Sequence, residues 1–133
     1  LPNFAAEIAK NSPLKIYGHG KQTRTFCYIT DAITGFMKIL LDAKEPDVFN
    51  VGNPTPEVSM IELAGTIKKI LGSEIKVELS PYPSSYPEDE PNRRCPDITR
   101  ISTTLDYKPK VGLEDGLKRF FEWTALNYTS DIL

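Results

Sequence analysis

The stretch PYPSSYPEDEPNRRCPD, residues 81–97, holds five of the chain's eleven prolines. Proline lacks the N–H that a sheet ladder needs, and its ring breaks helix interiors, so neither a long helix nor a central strand can run through these residues. A structureless connection of this length is seldom idle in a compact domain. The expectation is a working loop set between regular elements.

Those elements are legible on both sides of it. A chain of 133 residues buries roughly 65–70% of its unfolded surface, enough for one core. Leu1, Phe4, Ala5 and Ile8 share a helical face. PLKIYG (13–18) reads as a strand, HGKQ as a turn and TRTFCYI (23–29) as a second strand, the pair suggesting a hairpin. Thr30 or Asp31 is expected to cap a helix whose Ile33, Phe36, Met37, Leu40 and Leu41 form one buried stripe. DVFNVGN (47–53) reads as a strand. Ser59 and Glu62 form a capping box before a helix with Met60, Leu63, Ala64, Ile67 and Leu71 on one face, stopping at Gly72. IKVELS (75–80) is a further strand. After the proline loop, Asp97 caps a short helix over 98–105, and LEDGLKRFFEW (113–123) closes the pattern with Leu117, Phe120, Phe121 and Thr124 inward and with Glu114 and Asp115 four residues before Lys118 and Arg119. The class is mixed α/β, with short strands and helices interleaved.

Charge and cysteine content narrow the function classes. Sixteen basic and eighteen acidic residues give a net charge of −2, so no global field recruits nucleic acid or an anionic membrane, and any anion site must be local. No apolar run reaches the ~18 residues of a membrane span, and no signal-peptide core is present. Cys27 and Cys95 have no CxxC or Cys/His neighbours, which points to free thiols and to no metal site. A soluble, cytoplasmic chain is expected.

Arg24 is the sharpest candidate. On a strand it shares a side with Phe26 and Tyr28, a cation in an apolar row. Two readings stay open: its stem packs on the aromatics while its head reaches water or a carboxylate, or its planar fork clamps a phosphate or carboxylate ligand. Arg93 and Arg94, in the proline loop, are either part of a solvated charge patch or a second arm converging on the same anion. Gly18-His19-Gly20 lacks the further glycine and lysine of a phosphate loop and reads as a turn. His19, the only histidine, has no triad partners nearby, and the carboxylates read as surface and capping residues. No nucleophile, base or metal cluster is visible.

The order of three blocks adds more: PLKIYGHGKQTRTFCYITDAITGFMKILL, FNVGNPTPEVSMIELAGTIKKILG and EDEPNRRCPDITRISTTLDYKPKVGLEDGLKRFFEW. Together they resemble the C-terminal part of extended short-chain dehydrogenase/reductases of the NAD-dependent nucleotide-sugar epimerase/dehydratase family, UDP-glucuronate decarboxylases most of all. The resemblance covers about Leu1 to Trp123 and implies one nucleotide-sugar-binding unit over 1–133, with the loop 81–94 contributing to the site. It implies that Arg24 and Arg94 hold the diphosphate of a UDP-sugar from two sides, with Arg93 and Gln22 as neighbours. It also implies that the strand Pro13, Leu14, Lys15, Ile16 and Tyr17 lies along the base. In that family NAD and the Tyr-x-x-x-Lys pair belong to an N-terminal Rossmann domain. This chain alone is therefore expected to bind no NAD, to be inactive, and to self-associate through apolar surface that the partner domain would cover. A 4-epimerase or 4,6-dehydratase part, or a non-enzymatic binding module, are the other readings.

Overall fold

A computed structural model describes residues 1–72, 74–84 and 90–127. The chain opens with α1 (Pro2–Ala9), where proline sits in the first turn, the one helical place its missing N–H costs nothing. It continues as β1 (Leu14–Tyr17), β2 (Thr23–Arg24), α2 (Ile29–Asp42), β3 (Val58–Ser59), α3 (Met60–Leu71), β4 (Val77–Ser80), β5 (Arg93–Arg94), α4 (Thr99–Leu105) and α5 (Leu113–Asn127). At the head of α3 both halves of the capping box form: Ser59 Oγ accepts the Glu62 N–H while the Glu62 carboxylate accepts the Ser59 N–H.

The expected hairpin does not exist. β1 pairs in parallel with β4, from Leu14 opposite Val77 to Tyr17 opposite Ser80. β2 instead sits between β3, antiparallel, and β5, parallel. Gly18 and Gly20, both at positive φ, carry the chain from one small sheet to the other. The ladder also shortens the expected strand 23–29 to Thr23–Arg24, because β3 and β5 each offer only two residues to pair with.

Phe4 and Ala5 of α1, Leu14 and Ile16 of β1, Leu63, Ala64 and Ile67 of α3, and Leu117 and Phe121 of α5 form the main core. A second cluster gathers Ile101, Leu105 and Tyr107 under Ile39, Phe49 and Val51. Phe49 and Val51 belong to the segment expected as a strand, yet residues 47–53 form no ladder. Their side chains are anchored in the second cluster without a strand alongside.

α2 departs most from expectation. Neither Thr30 nor Asp31 caps it; Tyr28 precedes the first turn with no side-chain cap. The apolar stripe points outward: Ile33, Phe36, Met37, Leu40 and Leu41 are all exposed, with Leu40 at 75%. The inward face carries Asp31, Gly35 and Ile39 instead. Asp31 is buried and its Oδ2 accepts the N–H groups of Lys110 and Val111, each at 2.9 Å. Gly35 admits the close approach of Val51 and Tyr107, since a Cβ there would lie 2.5 Å from Val51 Cγ1. Periodicity located an apolar face correctly but could not say what covers it.

Two outcomes follow. An apolar stripe of this size in water drives association, so sedimentation velocity should show concentration-dependent self-association, reduced in a Phe36→Lys, Leu40→Lys variant whose circular dichroism is unchanged. Asp31→Ala should lower unfolding free energy by about 2–3 kcal/mol, because two buried N–H groups lose their acceptor. Urea denaturation measures it, with Asp31→Asn the milder change.

Candidate functional site

Side chains alternate across a ladder, so the register of β2 with β5 puts Arg24 and Arg94 on one face and Thr23 and Arg93 on the other. On the first face, Arg24 Nη2 donates to Glu90 Oε1 at 2.6 Å and to the Pro91 carbonyl at 2.8 Å, while Nη1 donates to the Thr23 carbonyl at 2.7 Å. Arg94 Nη2 reaches the other oxygen of the same carboxylate, Glu90 Oε2, at 3.2 Å. Two guanidinium groups thus converge on one anion. The Arg24 and Glu90 side chains are mostly buried, 16% and 19% exposed, whereas Arg94 stands largely in solvent.

This ion pair closes one end of a cleft of about 250 Å³. Lys15, Ile16, Tyr17, Gln22, Arg24, Phe26 and Tyr82 line it, with the start of α1 as its far wall. β1 is placed by its ladder with β4: the Leu14 N–H bonds to Lys76 and the Gly18 N–H to Ser80. The backbone groups of Lys15 and Tyr17 therefore point to the opposite edge, where the Lys15 N–H donates to Glu7 Oε2 and the Tyr17 carbonyl accepts from Gln22 Nε2. The Tyr17 and Tyr82 rings stand 6.1 Å apart at 36°. One end of the cleft is cationic with an internal carboxylate; the other is aromatic with an amide.

Of the nine residues named from sequence, Lys15, Ile16, Tyr17, Gln22 and Arg24 come together in this cleft. Leu14 is fully buried in the core, and Pro13 lines a separate cavity with Ile8 and Lys76. Arg93 faces the other way, where Nε and Nη2 grip the Glu57 carboxylate at 2.7 to 3.1 Å. Arg94 touches the site through Glu90 and otherwise lines an open hollow behind the sheet with Cys27 and Cys95. Residues 85–89 of the expected site loop lie outside the described residues. Sequence reasoning missed Tyr82 and Glu90; an aromatic and an acid inside a proline-rich segment were signals for them, but register alone brings them to β1 and β2.

Behind the sheet, Glu57 is held below the ordinary glutamate value by its hydrogen bonds from Arg93 and then Thr23. Among the described residues no group of three or more His, Cys, Asp or Glu could hold a metal ion. Burial pushes the Cys27 thiol up, away from the reactive thiolate. Gly18-His19-Gly20 runs into β2 and not into a helix N-terminus, so this turn is not a dinucleotide-binding loop of the Rossmann kind. Tyr17 and Lys21 have four-residue spacing, but a turn separates them where a helix would stack them.

This assembly of small sheets and helices is part of the architecture of Rossmann-type epimerases and dehydratases. Bacillus cereus UDP-glucuronic acid 4-epimerase, solved with UDP-glucuronic acid and NAD, superposes with a TM-score of 0.79 at 30% identity, covering 93% of this chain and 38% of that one. The dTDP-glucose 4,6-dehydratase DesIV of Streptomyces venezuelae shares the fold at a TM-score of 0.83 and 22% identity, covering 100% of this chain and 41% of that one. The family model of GDP-mannose 4,6 dehydratase matches residues 1–120, and the chain belongs to this family of extended short-chain dehydrogenases/reductases. Among curated relatives, UDP-glucuronic acid decarboxylase 4 of Arabidopsis thaliana is 39% identical over 117 residues, 88% of this chain and 25% of its own length. UDP-N-acetyl-alpha-D-glucosaminuronate decarboxylase of Bacillus cytotoxicus is 32% identical over 126 residues, 92% of this chain and 39% of its own length. The chain thus spans a quarter to two fifths of these relatives. No helix among the described residues is long and apolar enough to cross a membrane.

The Glu57 ion pair on the reverse face gives the fold a pH signature. A carboxyl lowered in the folded state stabilises it fully above the unfolded value of 4.5 and loses that contribution as pH falls through the lowered folded value. Denaturant unfolding of wild type should therefore weaken below about pH 4.5, and Glu57→Gln should flatten that slope.

Proposed function

We propose that this chain is the nucleotide-sugar-binding part of an NAD-dependent nucleotide-sugar-modifying enzyme, of UDP-glucuronate decarboxylase type. The observation that carries it is the cleft with Arg24 at one end and the Lys15–Tyr17 strand edge with Gln22 at the other. A nucleoside diphosphate has the matching polarity: a flat, hydrogen-bonding base and a doubly anionic linker. In this reading the base lies against β1 and the Tyr17 ring, and the diphosphate replaces Glu90 on the planar donor fork of Arg24, with Arg94 behind it. Tyr82 and Glu90 of the proline-rich segment complete the lining.

These residues bind and orient the ligand, and their apolar neighbours Ile16, Phe26 and Met60 keep water from it. NAD supplies redox chemistry at the sugar when bound, and the cleft residues contribute binding and orientation to it. The identity to several UDP-glucuronic acid decarboxylases supports the decarboxylase type. The 30% identity to a UDP-glucuronic acid 4-epimerase keeps 4-epimerisation as the second reading.

Calorimetric titration with UDP-glucuronate, UDP and dTDP tests the binding. Heat is expected with the UDP ligands, and Arg24→Ala should weaken binding by at least about 30-fold, the cost of losing a charged hydrogen-bond partner in a buried site. Absence of heat at millimolar ligand, or equal binding by Arg24→Ala, overturns the reading.

A further inference from the structure

A primary amide carries two N–H donors and one carbonyl acceptor, and the surroundings of Gln22 use only one side of that inventory. The backbone carbonyl of Tyr17 can only accept, so the nitrogen end of the amide must face it, and Nε2 donates to it at 2.8 Å. The same nitrogen lies 3.3 Å from Tyr82 Oη, which takes the second N–H. Both donors are spent on protein. Oε1 is buried and has no hydrogen-bond partner among the described residues, and Gln22 as a whole is only 7% exposed while lining the cleft. A buried acceptor left unmade is a standing cost that a ligand donor would relieve.

Tyr82 owes its place to two neighbours. The Gly18 N–H bonds to the Ser80 carbonyl at 2.8 Å, tying the end of β4 to the turn after β1. Gly18 also leaves room for the ring: a Cβ there would lie 2.6 Å from Tyr82 Cε2. The ring packs beside Tyr17 and its hydroxyl arrives at Gln22 from across the cleft.

We propose that Tyr82 is the positioning residue that makes Gln22 an obligate acceptor toward a bound nucleoside, so that the cleft selects ligands bringing a hydrogen-bond donor to Oε1. This rests on the nucleotide reading above. Two parts of a pyrimidine nucleoside bear such a donor, the imide N–H of the base and the ribose hydroxyls, and both sit within a nucleoside's length of a diphosphate at Arg24. Without the Tyr82 hydroxyl one N–H of the amide is released, and Gln22 can turn a donor toward the ligand as well.

The test titrates wild type and Tyr82→Phe with UDP, 3-methyl-UDP and 2′-deoxy-UDP. Wild type should lose about tenfold on one analogue, the worth of one hydrogen bond to a buried partner: the 3-methyl compound if the imide is read, the deoxy compound if the ribose is. Tyr82→Phe should shrink that ratio to about threefold or less while still binding UDP. Separately, in the ligand-free chain, both side-chain amide protons of Gln22 should exchange slowly by NMR, and one should become fast in Tyr82→Phe. Equal affinity of wild type for all three ligands, or an unchanged ratio in Tyr82→Phe, overturns the role of Gln22 and Tyr82 while the nucleotide reading stands. No heat with UDP overturns the nucleotide reading itself. Fast exchange of both amide protons in wild type overturns the lock whatever the titrations give.

Discussion

The architecture depends on a buried carboxylate that makes no ion pair among the described residues. Asp31, in the first turn of α2, accepts two consecutive backbone N–H groups from Lys110 and Val111. A buried acceptor needs partners, and these two bonds hold the first turn of α2 against the segment before α5. With α2 so held, Gly35 lies against Val51 and Tyr107, the Tyr107 hydroxyl donates to the Gly52 carbonyl at 3.1 Å, and the apolar stripe faces outward. The same bonds fix the segment leading into α5, and thereby Leu117 and Phe121 in the main core.

The cleft relies on a different economy. β2 is two residues long, yet it holds the guanidinium that defines the cationic end, because β3 and β5 pair with it from both sides. Alternation then divides the arginines: Arg24 and Arg94 share Glu90, and Arg93 is occupied by Glu57 on the reverse face. Three cations thus share two carboxylates, which leaves a polarised spot on a chain whose net charge is only −2.

How much of this could be read from the sequence varies with the physics involved. The helices, the Ser59–Glu62 capping box and the stop at Gly72 were legible because they depend on residues three or four apart. Lys15, Tyr17, Gln22 and Arg24 also line one cleft, since they lie within ten residues of one another around one turn. What failed was strand pairing and burial decided across the chain. The parallel pairing of β1 with β4, the loss of a ladder at 47–53 and the outward turn of Phe36 and Leu40 depend on partners distant in sequence or outside the described contacts. From sequence Asp31, like Thr30, reads as a cap, because a carboxylate or hydroxyl at a helix start usually is one, and only Lys110 and Val111 reveal its other use. Asp115 and Arg119 do pair at four-residue spacing, whereas Glu114 reaches across to Lys69.

Leu1 and Phe26 line the cleft of about 250 Å³ and also an apolar cavity of about 220 Å³ walled by Tyr28, Leu113 and Phe120. Two side chains are thus a common partition. A larger or smaller side chain at position 26 would change both chambers at once, so the two volumes are not independent quantities. The pair is better described as one space with a shared wall, in which the shape of the polar side is partly set by the packing of the greasy one.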